Sequence, residues 1–92
     1  MAGTKPSRRP SPKNRVYAAA DPANLKYLTA IGARIRSLRS QRGMTRKTLA
    51  VQSGVSERFL AELETGSGNA SVLLLRHLAR ALDVPVTSLL FE

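Results

Sequence analysis

Residues 44–66, MTRKTLAVQSGVSERFLAELETG, decide the fold of this chain. Thr45 and Ser56 are residue types that cap helix N-termini, because their hydroxyl oxygens accept hydrogen bonds from unpaired backbone amides. Gly54 lies between them and tolerates the left-handed backbone that a tight turn requires. The stretch therefore predicts two short helices joined by a turn at residues 53–55.

Helical periodicity continues on both sides of this pair. Upstream, apolar residues recur at three- and four-residue steps over residues 28–38, and Gly43 ends the predicted helix. Downstream, we expect one helix over residues 72–82 and a last short helix over residues 86–91. Since no stretch alternates in the manner of a strand, the predicted fold class is all-α, a compact five-helix domain over residues 25–92.

Residues 1–24 differ in character from the rest of the chain. They hold four of the five prolines and five Lys or Arg residues, against one acidic residue, Asp21. Without apolar periodicity this segment cannot offset the entropy of ordering its backbone. We predict a disordered basic tail, with two roles left open: an arm that contacts DNA, or a solubilising leader.

The composition narrows the classes of function. The 92 residues suffice for one domain, and with 42% hydrophobic but only 4% aromatic residues its core must consist mainly of Leu, Ile, Val and Ala. The chain has no cysteine and a single histidine, His77, so we expect no metal site and no cofactor. No glycine-rich phosphate loop or carboxylate cluster is present, and we therefore expect no enzymatic activity. The absence of a signal peptide and of a membrane-spanning run predicts a cytoplasmic protein.

The charge indicates the kind of partner. A formal net charge of +9 attracts polyanions, of which nucleic acids and anionic membranes are the commonest. A rigid pair of short helices can place its second helix in the DNA major groove, whose width admits one. A membrane-surface peptide would not need two capped helices at this spacing. The sequence therefore favours double-stranded DNA over a membrane.

Three motifs carry a resemblance to a known family: GMTRKTLA at 43–50, SGVSERFLAELETG at 53–66 and LLLRHLARALDVPVTSLL at 73–90. Over residues 28–91 the chain resembles the lambda-repressor-like (xenobiotic-response-element) helix-turn-helix family. The resemblance implies a DNA-binding domain of a bacterial transcriptional regulator, associated with the nucleoid.

A narrower similarity extends the second motif through GSGN at residues 66–69, giving SGVSERFLAELETGSGN over residues 53–69. The chain looks like the N-terminal domain of BoxR/BzdR-type repressors of benzoate degradation. In those regulators a C-terminal shikimate-kinase-like domain binds the effector benzoyl-CoA. The similarity implies a repressor of aromatic catabolic genes whose effector-binding domain lies outside this sequence.

The family pattern implies a base-reading face on the second helix of the pair. Glu57, Arg58 and Glu62 match that face. Arg58 is expected to bind guanine O6 and N7, with a phosphate contact or a solvated position as the alternatives. Glu57 or Glu62 is expected to accept from cytosine N4 or, alternatively, to repel mispositioned phosphates. Many relatives carry Gln at positions 46, 57 and 58, so the base preference stays open. The resemblance implies that six further residues contact the sugar-phosphate backbone or, for Arg46, an outer base. They are Thr45, Arg46, Lys47, Ser56, Phe59 and Asn69. Helix capping, packing of the aromatic ring and simple solvation of the lysine remain alternatives for these residues.

The resemblance also implies two structural features. Arg39 is expected to pair with Glu64 and so to brace the second helix against the first, with a phosphate contact of Arg39 as the alternative. Leu89, Leu90 and Phe91 carry more apolar surface than one short helix needs, which implies a homodimer through this end and an inverted-repeat operator. The alternatives are that these side chains close the monomer core or pack on a further domain. For the whole domain, an antitoxin or other protein-interaction module on the same scaffold stays open.

Overall fold

The computed structural model describes residues 21–91, and all of the regular structure in that range is helical. The helices are α1 (Pro22–Gln41), α2 (Arg46–Ser53), α3 (Glu57–Glu64), α4 (Val72–Leu82) and α5 (Thr87–Leu90). None of the helices in this range is long and apolar enough to cross a membrane. The five-helix, all-α prediction is confirmed. Residues 1–20 of the predicted disordered tail lie outside the described range.

Helix α1 begins upstream of the predicted domain start at Leu25. Its N-cap is Asp21, whose Oδ1 accepts a hydrogen bond of 2.9 Å from the Ala23 amide, and Pro22 occupies the first helical position. Proline is favoured there because the first helical amide has no partner within the helix anyway. The proline content of residues 1–24 predicts a tail that includes Pro22, but in the structure this proline starts the helix.

The other helices are capped by side-chain oxygens. Thr45 Oγ1 accepts from the Thr48 amide at 3.0 Å, and Ser56 Oγ accepts from the Phe59 amide at 3.0 Å. Between these two caps Gly54 has φ 78°, the left-handed conformation that glycine adopts without steric cost. The predicted pair of capped helices with a tight turn is therefore present.

One apolar core joins all five helices. Helix α1 packs on α3 and α5, and α2 packs on α3 and α4. The core residues, each buried, are Ile31, Ile35, Leu49, Leu60, Leu63, Leu75, Leu78, Ala79, Leu82 and Leu89. Val55, in the turn between α2 and α3, is half-buried at the edge of this core. The core thus holds the α2–α3 pair from both sides.

The backbones of α1 and α3 lie in direct contact. A Cβ atom placed on Gly32 would lie 1.9 Å from the carbonyl oxygen of Leu63, far inside any allowed contact. Only glycine fits at this crossing, because its missing side chain lets the last turn of α3 rest on α1. The orientation of α3 is therefore fixed by main-chain contact as well as by the core.

Arg34 of α1 and Arg42, the residue that follows α1, hold the C-terminal ends of α5 and α4. Arg34 Nη1 donates to the carbonyl oxygens of Leu89 at 3.2 Å and Leu90 at 3.0 Å. Arg42 donates from Nε to the carbonyl of Leu82 and from Nη2 to that of Asp83. Carbonyls in the last turn of a helix have no partner within the helix, so these bonds satisfy them and anchor both helix ends to α1.

Candidate nucleic-acid interface

Helix α3 has one face in the core and one face in solvent. Leu60 and Leu63 are buried on the first face, whereas Glu57 and Arg58 are exposed on the second, the Arg58 side chain to 92%. Glu62 is 45% exposed at the side chain and completes the outward set. The structure therefore brings together the three residues that the sequence analysis placed on the base-reading face.

Arg58 and Glu62 are neighbours on that face. Arg58 Nε lies 3.9 Å from Glu62 Oε2, as expected for residues four positions apart on a helix. A pair of this exposure and separation is weakly held, because water screens both charges. Both side chains are thus available to a ligand that approaches α3.

The residues expected to contact the DNA backbone surround the exposed face of α3. Thr45, Lys47 and Ser56 are exposed at the N-terminal ends of α2 and α3, and Asn69 is exposed in the loop that joins α3 to α4. Phe59 differs from them, because its ring is half-buried and packs against the core. The contacts of Phe59 therefore fit the alternative in which its ring packs on the protein core.

Glu64 and Arg39 form a nearly buried ion pair. Arg39 donates from Nε to Glu64 Oε2 at 2.7 Å and from Nη2 to Oε1 at 3.0 Å, and its Nη1 donates to the carbonyl of Met44 at 2.8 Å. The hydrogen bond to Glu64 raises the pKa of Arg39. Burial of the guanidinium acts in the opposite direction, and the negative charge of the carboxylate adds to the increase. The ion pair links the end of α1 to the end of α3, and the bond to Met44 extends this link to the residue before the Thr45 cap. These contacts brace the α2–α3 helices against α1, as the resemblance implies.

Arg46 shares the same carboxylate. Its Nε lies 3.4 Å from Glu64 Oε1, while its side chain is 46% exposed. Glu64 therefore lies between two arginines, one buried and one at the surface. Arg46 is held at the N-terminal end of α2 with part of its guanidinium facing solvent, a position suited to an anionic ligand.

The roles of Gly32, Arg34 and Arg42 in positioning this site were not predicted from the sequence. Gly32 admits the end of α3, and the two arginines anchor the helix ends behind it. The isolated glycine inside an apolar period was a usable signal, since such a residue often marks a close backbone approach. Among residues 21–91, no three His, Cys, Asp or Glu side chains are grouped as metal ligands would be, and His77 is exposed on α4.

Comparisons with known proteins agree with this geometry. A family model described as a helix-turn-helix domain matches residues 30–89. An uncharacterized HTH-type transcriptional regulator, y4dJ of Sinorhizobium fredii, is 37% identical over 54 residues, which cover 59% of this chain and 70% of that protein. The immunity repressor protein of Bacillus phage phi105 is 32% identical over 62 residues, which cover 67% of this chain but only 43% of the repressor.

A solved structure shows the same arrangement of helices. The restriction-modification controller protein C.AhdI from Aeromonas hydrophila superposes with a TM-score of 0.66 at 35% sequence identity, over 67% of this chain and 94% of that one. Residues 30–89, which the family model matches, contain the capped α2–α3 pair and the core that holds it. The chain therefore belongs to the lambda-repressor-like helix-turn-helix family of DNA-binding transcriptional regulators.

Proposed function

We propose that this domain binds double-stranded DNA in a sequence-specific manner, with α3 in the major groove. The observation that carries the proposal is the two-sided character of α3, with a braced, buried face and an outward face of exposed polar side chains. The 92% exposure of the Arg58 side chain supports its proposed role as a donor to guanine O6 and N7.

The residues around α3 supply the contacts that set register on the duplex. Thr45, Ser56 and Asn69 offer hydroxyl and amide groups next to helix N-termini, and Arg46 and Lys47 add positive charge at the start of α2. Phosphate oxygens accept from such groups without regard to base sequence. These residues would position the domain while α3 selects the site.

A second copy of the domain would read the other half of an inverted repeat. Leu89 is fully buried and belongs to the monomer core, whereas Phe91 is 62% exposed at the end of α5. The exposed part of this end supports a homodimer that places two α3 helices about 34 Å apart, one turn of DNA. Such a dimer would occlude a promoter and act as a repressor, in line with the similarity to a phage immunity repressor.

The narrower hypothesis concerns the regulated genes. The extended motifs that resemble BoxR/BzdR-type repressors support control of benzoate-type catabolic genes at the nucleoid, with benzoyl-CoA bound by a separate C-terminal domain. On this hypothesis benzoyl-CoA added to the present chain leaves its affinity for DNA unchanged. Direct binding of benzoyl-CoA to this domain, seen by calorimetry, would contradict it.

The test of the function is selection of bound sites from random duplexes, followed by fluorescence anisotropy on the selected site. Arg58→Ala should lower affinity for that site by about 1–3 kcal/mol and relax the preference at one base position. Arg76→Ala removes the same charge from the exposed face of α4 and serves as the control. If Arg58→Ala weakens binding to selected and scrambled duplexes equally, Arg58 does not read a base; if no site is enriched, the proposed function is wrong.

A further inference from the structure

The outer side of α4 carries a continuous stripe of exposed residues. At about 3.6 residues per turn these residues fall within one arc of about 140° around the helix axis. We call them the α4 stripe; all five are exposed, and they are Val72, Leu73, Arg76, His77 and Arg80. The other side of the helix is buried in the core. A partner can therefore bind the α4 stripe without any change in the packing of the domain.

The two arginines of the α4 stripe have no acceptor in the protein. Arg39 and Arg42 donate to protein oxygens, whereas within residues 21–91 the guanidinium groups of Arg76 and Arg80 form no hydrogen bond and no ion pair. Asp83 borders the same groove at the end of α4, yet it pairs with neither arginine. Since like charges four positions apart on a helix repel each other, an acidic partner would relieve a repulsion that the domain alone retains.

An apolar groove adjoins the first turn of the stripe. Val72 is 74% exposed at one edge, and Tyr27 of α1, 51% exposed, lines the groove with it. Ile31, Leu75 and Leu90 contribute to its lining. The groove has a volume of about 270 Å³, which is below the range of about 300–1,000 Å³ that is usual for small-molecule sites. Its size suits one or two apolar side chains of a partner.

The groove and the arginines lie along one row of the helix. Residues four positions apart on a helix are neighbours on its surface, so Arg76 follows Val72 by one turn and Arg80 follows Arg76 by another. A segment that fills the groove and continues along α4 therefore passes both guanidinium groups. The matching chemistry is an apolar anchor followed by carboxylates at a spacing of one turn.

The charge of the α4 stripe disfavours an occupant from the chain itself. Residues 1–20 contain five Lys or Arg and no Asp or Glu, so the stripe repels them. A two-fold contact between two copies would place the arginines of one stripe against those of the other. DNA phosphates would pair with the arginines but would leave a charged backbone beside Val72, Leu73 and the apolar groove. A protein segment with both carboxylates and apolar side chains fits both parts of the surface.

We propose that the α4 stripe and the groove at its start form a docking surface for an acidic, amphipathic segment of a partner protein. An apolar side chain of the partner enters the groove between Tyr27 and Val72, and its carboxylates pair with Arg76 and Arg80. None of these residues belongs to the set assigned to DNA contacts. The docking surface thus adds a protein-binding activity, which stands or falls separately from the proposed DNA-binding function.

The test uses synthetic peptides as probes of the 92-residue chain. The first is a fluorescein-labelled helical peptide with leucines and glutamates one turn apart; a second replaces its glutamates by glutamine, and a third replaces its leucines by serine. The protein variants are Arg76→Gln/Arg80→Gln and the matched control Lys26→Gln/Arg36→Gln, which also removes two positive charges from exposed positions. Fluorescence anisotropy gives affinities, amide chemical shifts locate the bound peptide, and far-UV circular dichroism checks that each variant is helical.

We expect the first peptide to bind the wild-type chain and the control within about twofold of each other, and Arg76→Gln/Arg80→Gln about tenfold more weakly. The glutamine and serine peptides should each bind the wild-type chain about tenfold more weakly, because each lacks one half of the match. Shifted amides should lie in α4 and the first turns of α1. No binding of the first peptide, equal weakening in the control, or shifts centred on α2 and α3 would overturn the docking surface and leave DNA binding unaffected.

Two further measurements distinguish the other occupants. Sedimentation velocity compares self-association of the wild-type chain and Arg76→Gln/Arg80→Gln, and anisotropy compares the affinity of both variants for duplex DNA. We expect self-association to be the same in both chains, and DNA affinity to be no lower in Arg76→Gln/Arg80→Gln than in Lys26→Gln/Arg36→Gln. Self-association lost only in Arg76→Gln/Arg80→Gln would assign the surface to a second copy. A selective loss of DNA affinity would assign it to nucleic acid, and either result would overturn the proposed partner.

Discussion

The main-chain contact between α1 and α3 makes Gly32→Ala the most informative stability test. The added methyl group would lie 1.9 Å from the Leu63 carbonyl oxygen. To restore a contact of 3.0 Å the two helices must move apart by about 1.1 Å. Because the backbone fixes the position of a Cβ atom and its partner is a backbone carbonyl, no side-chain rotation can relieve this contact.

The size of the effect follows from two opposing contributions. A gap of about 0.5–1 Å loses a quarter to a half of the dispersion energy of the contacts that span it, and strain in an overpacked core costs about 1–3 kcal/mol or more. Alanine recovers about 1 kcal/mol of helix propensity relative to glycine. Because the 1.9 Å contact calls for the upper end of that strain, about 3 kcal/mol or more, subtracting the propensity gain leaves an expected loss of about 2 kcal/mol or more of unfolding free energy. For a domain of this size that loss lowers the Tm by about 8 °C or more.

Urea unfolding followed by far-UV circular dichroism measures this loss. The control is Gly68→Ala, where a Cβ would lie 3.3 Å from the Leu63 Cδ2 atom and the backbone φ is not positive. This control should change the unfolding free energy by about 1 kcal/mol or less. A Gly32→Ala domain as stable as wild type would refute the close contact of the two helices.

Two further substitutions test the parts of the structure that hold α3 and α5. Glu64→Gln leaves the nearly buried guanidinium of Arg39 without its counter-charge, so we expect a loss of about 2–4 kcal/mol in urea unfolding; a loss below about 1 kcal/mol would contradict the bracing role. Leu89→Ala removes a fully buried side chain and should cost about 2–5 kcal/mol in thermal unfolding; an unchanged Tm would mean that α5 is not part of the core.

The local features of the fold were predictable from sequence because their signals lie within a few residues. The caps Thr45 and Ser56 bond to amides three positions ahead, and Gly54 forms the turn between them. The helical period likewise separates the buried Leu60 from the exposed Arg58 on α3. Such short-range rules define the elements and the face that each one exposes.

The contacts that assemble the site were not predictable in the same way. Arg34 bonds to backbone carbonyls 55 and 56 residues ahead, and every residue carries a carbonyl, so no residue type marks the acceptor. The contact of Arg46 with Glu64 depends on how α2 crosses α3, which the spacing of residues does not specify. The bases that Glu57, Arg58 and Glu62 select depend on the position of α3 in the groove, which requires the DNA itself.

The internal use of arginines changes what the net charge means for affinity. Arg34, Arg39 and Arg42 direct their guanidinium protons to carbonyl or carboxylate oxygens of the protein. When a protein binds a duplex, condensed cations leave the DNA in proportion to the phosphates neutralised, and this release gives the binding constant its dependence on salt. Guanidinium groups committed to internal acceptors displace few of these cations. A formal count of basic residues therefore overstates the slope of a salt titration for this domain.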